Sequence, residues 1–127
     1  MDIAEAIKKR YSCRNYQSRP VEAEKLDAII EAARLAPSAR NIQDWRFVIV
    51  TNADKRRALQ AAATDQPFVG QAPVVIAACS NTQRRMNLCG QPYSSVNVSI
   101  ALEHIALAAT SLGLATCWVG SFKPQQV

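Results

Sequence analysis

The sequence predicts a single domain that combines α-helices and β-strands. The chain has 127 residues, a common length for one domain, and 49% of them are hydrophobic, which is enough for a buried core. Some segments repeat apolar residues with helical spacing, whereas others are short apolar runs bounded by turn residues. Helices and strands are therefore expected to pack around one core that spans residues 1–127.

The amino-terminal residues predict a short helix. Asp2 can cap this helix, and Glu5 completes a capping box three positions later. Ile3 and Ile7 lie on one face, while the basic residues at positions 8–10 suit the negative end of the helix dipole. The helix is expected to end near residue 10.

The residues after this helix lack helical periodicity, and we expect them to be extended. Because side chains alternate along an extended chain, Arg10, Ser12 and Arg14 would point to the same side. Two guanidinium groups and a hydroxyl make a good phosphate-binding set, since each charge-assisted hydrogen bond contributes about 1.5–3 kcal/mol. The alternative is an exposed basic loop whose arginines pair with acidic neighbours. Spacing alone leaves both interpretations open.

Residues 22–35 predict a second helix, which Pro37 terminates. Its apolar residues recur at helical spacing, and its other face is charged. The polar turn that follows lies between this helix and a strand, a setting in which ligand contacts can be placed accurately. Ser38 and Asn41 offer donors and acceptors, and Ala39 leaves room for a flat ligand. The alternative is an ordinary helix-to-strand connection.

The middle of the chain predicts two strands separated by a helix and a loop. Residues 45–51 and 73–80 are the strands, and the second is so continuously apolar that both of its faces are expected to be covered. Residues 55–63 form a short amphipathic helix, which Asn52 can cap. Residues 64–71 contain a proline and a glycine and are predicted to be a loop.

The last third of the chain predicts the longest helix, over residues 94–112. A polar and irregular stretch precedes it at residues 81–93. Apolar residues surround most of this helix, so it is expected to be buried in the core or against a second subunit. Within it, His104 is expected to be structural. Gly113 would end the helix, residues 115–119 would form a third strand, and residues 123–127 would begin another helix.

The composition of the chain restricts the kinds of partner and site that we expect. The net charge of +5 favours anionic partners such as phosphorylated cofactors, but the basic residues lie in short groups without interleaved aromatics, so no nucleic acid is expected. The longest apolar run is too interrupted to cross a membrane, and no signal peptide opens the chain, so a cytoplasmic location is expected. The four cysteines lack CxxC spacing and there is one histidine, which predicts reduced thiols and no metal site.

Three segments together resemble the FMN-dependent nitroreductase family. Residues 10–14 read R-Y-S-C-R and resemble the family's R-x-S-x-R segment. Residues 37–45 read P-S-A-R-N-I-Q-D-W and resemble its P-S-x-x-N-x-Q-P-W segment. Residues 112–120 look like its G-L-x-T-x-W-x-G strand entry. The segments occur in the family's order, which makes them specific as a set.

The resemblance implies an α+β fold in which helices flank a mixed sheet, and a homodimer with two FMN sites at its interface. The first segment would hold the FMN phosphate and ribityl chain, the second would reach the flavin of the partner subunit, and backbone N–H groups of the third would face the reactive edge of the flavin. The residues so assigned to FMN are Arg10, Ser12, Arg14, Pro37, Ser38, Ala39, Asn41, Gln43, Val119 and Gly120.

The resemblance also implies an activity. The chain would be an NAD(P)H oxidoreductase in which FMN accepts a hydride from NADH or NADPH and passes electrons to a small nitroaromatic or quinone-like acceptor. Because the cofactor carries the redox step, no catalytic side chain is needed, and the protein positions the cofactor and tunes its charge.

Two departures from the family pattern change these expectations. Asp44 stands where the family usually has proline, and it would add a negative charge beside the flavin loop. The family's chains also normally continue past position 127, adding a helix, a strand and an arm that embraces the partner. We therefore expect a truncated product or a diverged short form with an exposed sheet edge. This leaves a second interpretation, a flavin-binding or dimer-forming remnant without catalysis.

Overall fold

The computed structural model describes residues 1–81 and 86–127. Two 3-10 turns, at Ala39–Asn41 and Pro124–Gln126, accompany the helices and strands. In chain order the elements are α1 (Ile3–Lys9), α2 (Ala23–Arg34), β1 (Trp45–Val50), α3 (Ala53–Ala62), α4 (Pro67–Gln71), β2 (Val75–Ser80) and α5 (Tyr93–Ser111).

The helix starts form as their sequences predict. The Asp2 carboxylate accepts a hydrogen bond from the Glu5 backbone N–H at 2.8 Å, and the Asn52 side chain accepts one from the Lys55 N–H at 3.0 Å. These bonds satisfy amide groups that have no partner within the helix. Both caps are therefore confirmed, and they fix where α1 and α3 begin.

The main core lies where α2 and α5 pack together against the sheet. β1 and β2 pair antiparallel, with Trp45 opposite Ser80 and Val50 opposite Val75. Trp45 is buried beside Ile29 from α2 and Ile105 from α5. Buried alanines on both helices, which carry small side chains, let the two backbones approach closely. The α+β architecture is thus confirmed.

His104 links the same two helices. Its Nδ1 atom lies 3.1 Å from the carbonyl oxygen of Ala32, and the contact is partly buried. A carbonyl oxygen can only accept, so Nδ1 carries the proton in this contact. The structural role predicted for His104 is confirmed.

Residues 64–71 are not the predicted loop, because they contain helix α4. Pro67 occupies its first turn, where a missing N–H costs nothing, and Phe68 and Val69 are buried. Gly70 lets this helix lie close against the Gln60 side chain, which a Cβ at position 70 would overlap. Proline and glycine thus serve helix entry and close packing here, which is why the loop prediction is wrong.

The predicted third strand is reduced to one bridge. Thr116 pairs in parallel with Ser12, and the Cys13 N–H donates to the Thr116 carbonyl at 2.9 Å. Residues 115–119 otherwise form no strand in the part of the chain that is described. The helix expected at 123–127 is a 3-10 turn, held by a 2.9 Å bond from the Lys123 N–H to the Ala62 carbonyl.

The predictions for the burial of α5 and β2 have different outcomes. α5 has a row of buried residues, as predicted, whereas β2 is mostly half-buried rather than covered on both faces. A continuous apolar run shows that both faces of a strand can be buried, but the single chain does not bury both faces of β2 fully.

The irregular stretch predicted at 81–93 lies partly outside the described residues, at 82–85. Among those described, no helix is long and apolar enough for a transmembrane segment.

Gly113 ends α5 as the sequence predicts, and it offers a stability test. Its φ is +76°, and bonds from Gly113 N–H to Thr110 and from Leu114 N–H to Ala109 close a Schellman motif. We expect Gly113→Ala to lower the free energy of unfolding by about 1 kcal/mol, because alanine is strained at positive φ. Urea denaturation measures the change, and Gly120→Ala, at a glycine without positive φ, should cost less.

Candidate flavin site

The first predicted segment is extended and alternates as expected. Arg10 caps the end of α1 with an extended backbone (φ −60°, ψ 130°), and Ser12 forms the bridge to Thr116. Cys13 is buried, whereas Ser12 and Arg14 are exposed and Arg10 is half-buried. This segment, residues 10–14, is called the arginine segment below.

Among the described residues, no carboxylate forms an ion pair with the arginines of this segment. Within residues 1–81 and 86–127, the ion pairs join Lys9, Lys25, Arg34 and Arg57 to acidic residues three or four positions away, and none involves Arg10 or Arg14. The Arg14 guanidinium carbon lies 5.9 Å from the centroid of the Phe68 ring, within cation–π range. Among the described residues, the predicted alternative of an arginine loop paired with acidic neighbours is therefore not observed.

The Ser12–Thr116 bridge brings the first and third predicted segments side by side. Residues 116–120, called the 116–120 segment, meet the arginine segment at this parallel bridge. Val119 packs on the small cluster of Phe68 and Val69, which fixes this part of the chain. Gly120 is exposed and a Cβ there would meet nothing within 4 Å, so a ligand can approach its backbone. The sequence alone did not reveal this adjacency.

Tyr16 packs on the same Phe68 and Val69 cluster as Val119, and it stays uncharged. Burial is the main cause that raises the pKa of Tyr16, and the neighbouring Cys13 and Cys117 raise it further, while Arg14 opposes the shift. The phenol therefore keeps its proton at neutral pH and adds no negative charge to this cluster.

The second predicted segment is a strained loop, residues 36–44, called the 36–44 loop. Arg40, Asn41 and Gln43 have φ of 53°, 55° and 48°, a left-handed conformation that costs side-chain-bearing residues on the order of 1–3 kcal/mol each. The Gln43 N–H donates to Ser38 Oγ at 3.0 Å, and Gln43 Nε2 donates to Asn41 Oδ1 at 2.8 Å. The polar residues predicted to bind a ligand therefore also hold the loop.

The exposure of the loop residues decides what they can offer. Ser38 and Ala39 are half-buried. Pro37, Asn41 and Gln43 are exposed. The loop thus presents a polar surface to solvent in a fixed conformation, as a binding surface requires.

Two buried polar residues, which sequence analysis did not assign to the site, tether the loop. Asn97 of α5 is fully buried, and its Oδ1 accepts the Ala39 N–H at 2.9 Å. Its Nδ2 donates to Asp44 Oδ1 at 2.8 Å, and Ser80 Oγ donates to Asp44 Oδ2 at 2.6 Å. Asn97 is one of several polar residues in α5, and nothing in the sequence sets it apart from the others.

The position of Asp44 corrects its predicted role. Its side chain is 4% exposed and faces α5 and β2, so it does not add an exposed charge beside the loop. The carboxylate instead accepts hydrogen bonds from Asn97 and Ser80 inside the protein. Its backbone also contributes, since the Asp44 carbonyl accepts the Asn81 N–H at 3.0 Å.

The single chain therefore provides two separate half-sites. The arginine segment and the 116–120 segment form one, and the 36–44 loop, tethered to α5 and β2, forms the other. Over the described ranges 1–81 and 86–127, no hydrogen bond joins the loop to either of the other two segments. The first half-site can bind an anion, and the second can present rigid polar groups to a flat ligand.

Comparison with known proteins places this chain among one family. The model of the nitroreductase family matches residues 7–70 and 61–127. A protein of Methanothermobacter thermautotrophicus, named as a putative NADH dehydrogenase/NAD(P)H nitroreductase, is 37% identical over 122 residues, which cover 96% of this chain and 62% of that protein. The FMN reductase [NAD(P)H] of Bacillus subtilis is 30% identical, covering 99% of this chain and 57% of that protein.

A solved structure of a family member has the same fold as this chain. A nitroreductase family protein from Clostridium novyi NT matches 99% of this chain and 73% of its own at a TM-score of 0.91, with 29% sequence identity. This chain spans 62% and 57% of the lengths of the two relatives named above. The fold is therefore shared over the whole chain, while the relatives contain further residues.

Proposed function

Because the chain belongs to the nitroreductase family, we propose that it binds FMN and uses NADH or NADPH to reduce nitroaromatic or quinone-like acceptors. One observation carries the proposal. Two arginines without a carboxylate partner among the described residues lie beside a backbone segment that a ligand can approach. The residues fit FMN, since this half-site matches a phosphate group and the other offers polar groups to a flat ring.

Each segment has a proposed role toward FMN. Arg10, Ser12 and Arg14 would hold the phosphate and ribityl chain through charge-assisted hydrogen bonds. Backbone N–H groups at Val119 and Gly120 would hydrogen-bond to the flavin. They need no reorganisation, because the bridge and the Phe68 cluster already fix their segment. FMN, when bound, would supply the redox chemistry between NAD(P)H and the acceptor.

The 36–44 loop would contribute Pro37, Ser38, Ala39, Asn41 and Gln43 to the FMN of a partner subunit. This role requires a homodimer, and exposed apolar side chains support one. Ile3 and Ile7 on α1 are 66% and 58% exposed, and Val96 on α5 is also exposed. Exposed apolar side chains on α1 and α5, two helices that contact each other, favour association. The two half-sites of one chain would thus belong to two different FMN sites.

A second candidate function is a flavin-binding or dimer-forming protein without catalysis. The contacts proposed above hold FMN and join two subunits, and a protein that binds flavin without turnover would use the same contacts. Both candidates place the protein in the cytoplasm, with a small-molecule ligand rather than nucleic acid or a membrane as the partner.

The two candidates give different results in one experiment. The purified protein is titrated into FMN while flavin fluorescence is recorded, and the complex is then treated with NADH or NADPH without oxygen. The enzyme is expected to quench FMN fluorescence and to lose its yellow colour with one of the two nucleotides. A yellow complex that neither nucleotide bleaches would support the non-catalytic candidate. Unquenched FMN fluorescence would contradict both.

A further inference from the structure

A chain of hydrogen bonds runs from the 36–44 loop into the core. It begins at the Ala39 N–H, passes through both polar atoms of the Asn97 amide, and ends at the Asp44 carboxylate, which Ser80 also contacts. Asn97 is 0% exposed and Asp44 is 4% exposed. The chain of bonds therefore joins the beginning and the end of the loop through one buried side chain of α5.

The acceptor role of Asp44 sets the direction of these hydrogen bonds. Its Oδ1 accepts from Asn97 Nδ2 and its Oδ2 accepts from Ser80 Oγ, so the Asn97 side chain turns its NH₂ group toward Asp44. Its carbonyl oxygen is then left to face the Ala39 N–H, as observed at 2.9 Å. A residue without an acceptor at position 44 would let the amide turn over, and a turned amide would present a donor to another donor.

The conformation held by these bonds is one that the loop would not adopt alone. Three residues between the two tethers, Arg40, Asn41 and Gln43, have left-handed backbones although none is glycine. Such a conformation persists where its surroundings over-determine it. Among the hydrogen bonds of the described residues, those of Asn97 connect the loop to helix α5, whereas those of Ser38 and Asn41 stay within the loop.

We propose that Asp44 and Asn97 are positioning residues that set the FMN affinity of the loop by fixing its left-handed conformation. The part of this inference that concerns FMN affinity rests on the proposed function. Neither side chain would touch the cofactor. Asp44 acts through Asn97, and Asn97 acts through the backbone of Ala39.

The test compares Asp44→Ala, Asp44→Asn and a control, Thr110→Ala. Thr110 is buried in the same helix, and its hydroxyl donates to the Ala106 carbonyl at 2.8 Å, so its replacement removes a buried polar group of α5 that is not part of the loop tether. We expect Asp44→Ala to raise the FMN dissociation constant about tenfold, Asp44→Asn about threefold and Thr110→Ala less than about twofold, all measured by fluorescence quenching.

Hydrogen exchange gives a readout that needs no flavin. In Asp44→Ala without FMN, the Ala39 and Gln43 amides should exchange at least about tenfold faster, whereas Thr110→Ala should leave them unchanged relative to the rest of the chain. Equal exchange at these amides in both variants would overturn the inference. If the original protein binds no FMN, the proposed function and the flavin part of this inference both fail, while the exchange result still decides the positioning role. If it binds FMN and Asp44→Ala binds equally well, only the inference fails.

Discussion

Arg14→Ala is expected to weaken FMN binding about 10- to 100-fold, because it removes one charge-assisted hydrogen bond of about 1.5–3 kcal/mol to the phosphate. The fold should survive the change. Among the described residues, Arg14 forms no ion pair, and its ring contact with Phe68 is worth about 0.5–1 kcal/mol at an exposed position. Flavin fluorescence quenching gives the affinity, and urea denaturation gives the stability.

Arg57→Ala is the matched control for net charge. Arg57 is an exposed arginine that pairs with Asp54 on α3, so its removal subtracts the same charge outside both half-sites. If Arg57→Ala weakened FMN binding as much as Arg14→Ala, the effect would be one of overall charge, and the phosphate role of Arg14 would be excluded. Raising the salt concentration should reduce the difference between the original protein and Arg14→Ala only in part, because a direct contact is screened less than a distant charge.

The sequence predicted the local elements well and their pairing less well. Caps and helix ends depend on residues a few positions apart, so the Asp2 and Asn52 caps and the Gly113 terminus could be read directly. The Ser12–Thr116 bridge joins residues distant along the chain, and no local pattern encodes it. Helix α4 was missed because a proline and a glycine normally indicate a loop, whereas here Pro67 lies in the first turn of the helix and Gly70 allows close packing against Gln60.

In the candidate site too, local features could be predicted from the sequence, whereas long-range contacts could not. The alternation of Ser12, Cys13 and Arg14 follows from backbone geometry, so it could be predicted. The tether of the 36–44 loop could not, since it depends on the meeting of Asn97 with Asp44. The departure of Asp44 from the family pattern was visible in the sequence, but its burial was not. Packing against residues distant along the chain buries the carboxylate that was expected to add a negative charge beside the flavin loop.

Asn97→Asp tests this buried pair most severely. The substitution keeps the shape of the side chain and the acceptor for the Ala39 N–H, but it places a second carboxylate against Asp44 at a fully buried position. We expect the free energy of unfolding at neutral pH to fall by about 3 kcal/mol, since two buried carboxylates in contact cannot both ionise without a large cost and the shift of about two pKa units that this implies corresponds to that energy. Urea denaturation at several pH values measures the loss.

The sign of the pH dependence follows from the two facing carboxylates. Like charges raise the pKa of one of them in the folded variant above its unfolded value, so the folded state binds more protons than the unfolded state. The stabilising proton is bound at low pH and lost as the pH rises through the raised pKa. The stability of Asn97→Asp should therefore lie closest to that of the original protein at about pH 4, near the unfolded pKa of an aspartate, and farthest from it at neutral pH.

A second substitution should restore part of the stability that Asn97→Asp loses. In the double variant with Asp44→Asn, one carboxylate and one amide again face each other, and the amide introduced at position 44 can donate to the acid at position 97. We expect the double variant to recover at least about half of the lost stability, because the coupling between residues in direct contact is not additive. Ser99→Asp, which adds a charge on the exposed part of α5, is the control and should cost little. If the double variant lost as much stability as the two single variants added together, the hydrogen bond between Asn97 and Asp44 would not be what holds the loop.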